Sequence, residues 1–155
     1  MELSTREDID APIDWVWQRL IDDVAFERIA LRRGADVQRQ DAGTGFVEGA
    51  TWVVMFRYRG RDRRLEAMVT DVSAPSGWSV NTQSGGIDGV TKLELVSMSK
   101  TRTRIILESK LTARSLSARL LLQSLKLAKS GVLKRFRNRV AGFADDLERR
   151  YRDTA

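Results

Sequence analysis

Two hydrophobic periods alternate along this 155-residue chain. Residues 2–9, Glu-Leu-Ser-Thr-Arg-Glu-Asp-Ile, read as a short strand that runs into Ala11-Pro12. Ile13, Val16, Trp17, Leu20 and Val24 then recur at spacings of three and four, which puts them on one helix face, with Trp15 on the other side. Pro12 suits the first turn, where its missing N–H would have no intrahelical partner. A second short helix is expected over residues 24–33, stopped by Gly34.

From residue 36 the period is two. A short strand is expected in Ala-Asp-Val-Gln-Arg-Gln (35–40), followed by a glycine-bearing turn at 41–45. Residues 51–59 place Trp52, Val54, Phe56 and Tyr58 on one face and Val53, Met55, Arg57 and Arg59 on the other. Gly-Arg-Asp-Arg (60–63) is expected to turn the chain into a strand over 64–72, and Ala-Pro-Ser-Gly (74–77) turns it again. Strands at 78–83 and 90–98 follow, separated by Ser-Gly-Gly-Ile-Asp-Gly. After the turn at 99–102, a last strand aligns Thr103, Ile105, Leu107 and Leu111. Short turns between successive strands favour a seven-stranded antiparallel sheet.

A helical pattern from Ser117 to Tyr151 closes the chain. In its second half Val132, Phe136, Val140, Phe143, Leu147 and Tyr151 form a narrow stripe, suited to lying along a concave sheet. In its first half Leu120, Leu121, Leu122, Leu125 and Leu127 spread around most of the circumference. Gly131 separates the halves, and a helix-interior glycine costs about 1 kcal/mol relative to alanine. A bend or a change of packing partner is therefore expected near Gly131.

With no internal repeat or linker, residues 1–155 read as a single α+β domain. The order is strand, two helices, six strands, long helix. It resembles the START-like, polyketide cyclase/dehydrase (SRPBCC) superfamily with its helix-grip architecture. Ile-Asp-Ala-Pro-Ile-Asp-Trp-Val-Trp (9–17) is similar to that family's opening, and Gly49 with Trp52 matches a G-x-x-W entry to the third strand. The resemblance implies a curved seven-stranded sheet around the C-terminal helix, two short helices after strand 1 plugging one side, and a cavity between sheet and helix. It also implies an apolar ligand, such as a lipid or polyketide.

Composition narrows the chemistry. There is no histidine and no cysteine, so the usual general base, the commonest metal ligand and thiolate chemistry are missing together. No metal or cofactor is expected. Ser-Gly-Gly-Ile-Asp-Gly (84–89) lacks the lysine and the strand-to-helix setting of a phosphate loop and is expected to be a mobile rim of the cavity mouth. Hydrophobic residues make up 42% and charged residues 31%, and no window reaches the roughly 18 apolar residues of a membrane span. The opening Met-Glu-Leu-Ser-Thr-Arg-Glu-Asp has no apolar core of a secretory signal, so a cytoplasmic location is expected.

The net charge is +6, and it is unevenly spread. From Ser109 to Ala144 there is no acid but nine cations, Lys110, Arg114, Arg119, Lys126, Lys129, Lys134, Arg135, Arg137 and Arg139. Such a tract is either a solvated helix face or an attractor of phosphate.

The expected ligand wall consists of Trp52, Phe56, Tyr58, Trp78, Val80, Leu93, Ile105, Leu107, Phe136 and Val140. No residue is assigned a catalytic role. The leading expectation is binding or carriage of a hydrophobic small molecule or lipid. A cyclase or aromatase acting on a polyketide-like substrate is the enzymatic alternative, and its proton chemistry would fall on Tyr58 with an arginine or a carboxylate. Thr82, Thr91 and Ser109 also face inward in this register; Asn81 and Gln83 would do so in the opposite one. The third possibility is an interaction module in which Lys126, Lys129, Lys134, Arg135, Arg137 and Arg139 meet an anionic membrane or an acidic partner. Nucleic acid ranks below these, because the basic tract lacks the exposed aromatics of single-strand binders.

Overall fold

A computed structural model describes residues 1–154. Strand β1 (Glu2–Ile9) leads into helices α1 (Ile13–Leu20) and α2 (Asp23–Arg32). Six strands follow: β2 (Asp36–Arg39), β3 (Thr51–Tyr58), β4 (Arg61–Ser73), β5 (Gly77–Ser84), β6 (Ile87–Ser99) and β7 (Arg102–Ala113). Helices α3 (Leu116–Leu127) and α4 (Lys129–Arg152) close the chain. The strands form one antiparallel sheet in the order β1-β7-β6-β5-β4-β3-β2, with register shifts at Val69/Asp71 and Ser97/Ser99. Irregularities of this kind bend the bulged strand and raise local twist, which helps the sheet curl.

The register confirms the expected parity. Trp52 pairs with Ala67, Ala67 with Thr82, and Thr82 with Gly89, so these positions share the concave face. Asn81 and Gln83 lie on the convex one. Across the β6–β7 pair, Thr91 and Ser109 join hydroxyls at 2.8 Å. This satisfies two polar groups on the concave side without a ligand.

The core lies at one end of the grip, where Ile9, Val16, Leu20, Leu95, Ile105, Ala144 and Leu147 are buried together. The Ala11-Pro12 corner is pinned by the fully buried Thr103, whose hydroxyl donates to the Ala11 carbonyl at 2.8 Å. Asp22 caps α2 through the Ala25 N–H at 3.0 Å, and Ser115 caps α3 through the Ala118 N–H at 3.1 Å.

Four expectations change. The first helix ends at Leu20, so Val24 lies in the first turn of α2 and is exposed. The β3–β4 turn is the two-residue pair Arg59-Gly60, both at positive φ (52° and 73°), and Asp62 and Arg63 lie within β4. That conformation matches the right-handed twist of a hairpin. Ser84–Gly89 is no rim: Gly85 and Gly86, with φ of 55° and 81°, make a tight turn packed on Ser115 and Ala118. The long helical pattern is two helices rather than one, with the break expected near Gly131 falling three residues earlier, at Ala128 (φ −97°, ψ 18°), and Gly131 in the first turn of α4. The packing partner does change there, since α3 lies against β7 and α4 against β1.

Candidate functional site

The stripe on α4 meets the sheet unevenly. Toward its C-terminus Ala144 and Leu147 are buried against Ile9 and Leu95, and the packing is closed. One to two turns earlier, Phe136, Val140 and Phe143 face a chamber of about 480 Å³ instead. Its floor is the concave sheet, with Val54, Ala67, Trp78, Val80, Leu93, Ile105 and Leu107. Its side wall comes from Phe26 and Ala30 of α2, Val37 of β2, and Phe46 of the β2–β3 loop. A volume of this size lies within the range of small-molecule sites, about 300–1,000 Å³.

Two indoles tie the helices to the sheet. The Trp78 Nε1–H donates to the Leu20 carbonyl at the end of α1, at 3.0 Å. The Trp52 Nε1–H donates to Oε1 of Glu27 on α2, at 2.8 Å. Each ring thus presents an apolar face to the chamber while its polar edge is bonded elsewhere. Phe46 sits between them, with ring centroids 6.2 Å from Trp52 and 5.3 Å from Trp78. Phe26 extends the aromatic wall toward Phe143, 6.5 Å away.

Charge reaches the chamber wall at three residues, Asp23, Glu27 and Arg139. Asp23 bonds Nη1 of Arg39 at 3.2 Å, and Glu27 accepts from Trp52. Arg39 also holds Asp41 side by side, at 2.9 and 3.1 Å, with its guanidinium 4.9 Å from the Trp52 ring centroid. Its hydrogen bonds, joined by those of the Thr51 and Gly43 N–H groups, hold the Asp41 carboxyl far below the usual carboxylate range. Reciprocally, Asp41 raises the pKa of Arg39. These ions brace the loop that carries Phe46. Arg139 is exposed and has no carboxylate partner among the described residues, and it stands where α4 and α2 share the wall. Among the same residues no group of acids is arranged to hold a metal ion.

Of the ten side chains expected to wall a ligand, Trp52, Trp78, Val80, Leu93, Ile105, Leu107, Phe136 and Val140 line the chamber. Phe56 and Tyr58 do not. They share the parity of Trp52 and Val54 but lie farther along β3, where the hairpin runs past the end of β5 at Ser84. Tyr58 is exposed there, beside the guanidinium groups of Arg59 and Arg63. Thr82, Thr91 and Ser109 also lie off the chamber wall. Among the expected surface cations, Lys126, Lys129, Lys134 and Arg135 are exposed. Arg137 donates to the Ser4 carbonyl of β1 at 3.3 Å, and Arg139 borders the chamber, so neither is an uncommitted outer cation. Sequence reasoning missed Phe46, Phe26, Ala30 and Val37. Phe46 sits in a loop without period. Phe26 and Ala30, spaced by four, carried the only available signal.

No protein family model and no curated protein matches the sequence. Solved structures do share its shape. The ZhuI aromatase/cyclase from Streptomyces sp. R1128 superposes with a TM-score of 0.67 at 14% identity, covering 97% of this chain and 95% of that one. Norcoclaurine synthase from Thalictrum flavum, solved with dopamine and hydroxybenzaldehyde, gives 0.69 at 12% identity, covering 100% and 88%. A START superfamily protein from Mycobacterium smegmatis gives 0.55 at 9% identity, covering 86% and 95%. At these identities the likeness is one of fold: with its seven-stranded antiparallel sheet, two helices after β1 and long C-terminal helix, the chain has the helix-grip fold.

Proposed function

We propose that this protein binds and carries a hydrophobic small molecule in the chamber between its sheet and α4. The observation that carries this reading is the 480 Å³ space walled mainly by aromatic and aliphatic side chains, whose two indole N–H groups are already bonded, to Glu27 and to the Leu20 carbonyl. A ligand there would gain about 25 cal/mol per Å² of apolar surface removed from water. It would compete with few bound waters over the aromatic and aliphatic part of the wall, since water needs two to four polar partners that this part lacks. The fold neighbours include enzymes as well as a START protein, so the likeness supports ligand binding as a class and leaves chemistry to the site. Tyr58, the expected acid of a cyclase, stands off the chamber wall, which favours carriage over catalysis.

The test is to fill the space. Ala67 lies on the chamber floor opposite Trp52, and Ala67→Phe should occupy it while leaving the sheet intact. Titration with the uncharged fluorophore N-phenyl-1-naphthylamine should show saturable binding by the parent protein. In the variant, affinity should fall by about tenfold or more at unchanged thermal stability, as for losing roughly 1.4 kcal/mol. Native mass spectrometry should detect a co-purifying apolar molecule in the parent and not in the variant. Equal dye affinity in both proteins would place the binding elsewhere.

A further inference from the structure

Helix α3 buries the wrong number of leucines for a core helix. Ala118 and Leu122 are buried on its inner side, but Leu116, Leu120 and Leu127 are 73%, 60% and 92% exposed. Their spacings of four and seven residues align them in one outward stripe. Isolated exposed leucines need no explanation, whereas an aligned row of them marks a contact surface. Arg119 and Lys126 flank this row along one edge, and Lys129 follows at the start of α4. None of these three cations has a carboxylate partner among the described residues.

More positive charge gathers at the same end of the sheet. The β5–β6 turn packs through Gly86 on Ser115 and Ala118 of α3's first turn, and on its other side the Ser84 hydroxyl donates to the Arg64 carbonyl of β4. The β3–β4 hairpin, with exposed Arg59 and Arg61 at its tip, therefore projects from the end that carries α3.

From the leucine row and its cation border we propose that α3 docks this protein on an anionic lipid bilayer, with Leu116, Leu120 and Leu127 entering the headgroup–acyl boundary. A second copy of this chain is a poor occupant, because a two-fold contact would set Arg119, Lys126 and Lys129 against their own kind. A lipid surface takes an apolar row without a matching groove, and its phosphates complement Arg119, Lys126 and Lys129, which border the row and lack a carboxylate partner among the described residues. The inference stands independently of what fills the chamber.

The experiment is cosedimentation with phosphatidylcholine vesicles, with and without phosphatidylglycerol, at low and high salt. Binding should require phosphatidylglycerol and fall as salt rises. The double variant Leu120→Gln/Leu127→Gln should bind about tenfold more weakly or worse. Both sites are solvent-exposed, so circular dichroism and thermal melting should be unchanged. Lys126→Gln/Lys129→Gln should weaken binding and flatten its salt dependence. Three results would overturn the proposal: no wild-type binding at low salt, equal binding to both vesicle types, or wild-type affinity in the leucine variant. Sedimentation of wild type as a dimer that Leu120→Gln/Leu127→Gln converts to monomer would also overturn it, and would assign the stripe to a second copy.

Discussion

Asp41 shows how a single surface residue organises the chamber wall. Its carboxylate accepts from Arg39, from the Thr51 N–H and from the Gly43 N–H, and so it joins β2, β3 and the loop that carries Phe46. Those donors favour the charged form and lower its pKa in the folded protein. The sign follows from linkage. A carboxyl whose folded pKa lies below its unfolded value stabilises fully above the unfolded value, about 3.9, and that stabilisation is lost as pH falls below it. Asp8, lowered chiefly by its hydrogen bond to Arg104, acts in the same direction. Urea midpoints should therefore drop from pH 5 toward pH 2, and Asp41→Asn should be less stable at pH 6 with a shallower slope. Parallel slopes for the two proteins would remove Asp41 from the acid response. At this scale strand parity was legible: alternation put Trp52 and Val54 on the inner face, and pairing with β4 keeps them there. The partners of those residues were not legible, because nothing local links Glu27 to Trp52 across 25 positions.

Among elements, the strands were read most faithfully. A period of two repeated over eight residues or more leaves little freedom, since a one-residue slip turns every side chain to the opposite face. Turns were harder. Residues 84–89 looked loose by composition, yet paired glycines at positive φ make the tightest connection available to a hairpin. Gly77 shows the same residue type serving approach rather than turning. A Cβ there would strike the Leu93 carbonyl of the adjoining strand, which is backbone and cannot swing aside. Gly77→Ala should cost about 1–3 kcal/mol in denaturant unfolding, the range for overpacking. An unchanged midpoint would show that β5 and β6 separate easily. The C-terminal helices divide at Ala128 because the two halves serve different strands. The leucines scattered through the first half carried that information, though without the position of the break.

For the molecule as a whole, one helix stripe has two thermodynamic characters. Leu147 is fully buried in the closed end, while Phe136 borders open space. Leu147→Ala should destabilise by about 3 kcal/mol, since lost transfer energy and a new cavity add. Phe136→Ala should cost about 1–2 kcal/mol in the ligand-free protein, because one side of the ring already lacks contacting atoms. A larger loss at Phe136 than at Leu147, measured by urea unfolding, would contradict the open chamber. Periodicity along the chain sufficed for the element order, the antiparallel sheet, the inward faces and the apolar stripe of the last helix. Those follow from neighbours a few residues apart, where backbone geometry sets the repeat. Where the stripe packs tightly and where it stands clear was decided only by tertiary structure. So were the recruitment of Phe46 and the outward turn of the α3 leucines. Each depends on how far the curled sheet lies from a helix, and that distance is set by many long-range contacts acting together rather than by any local pattern.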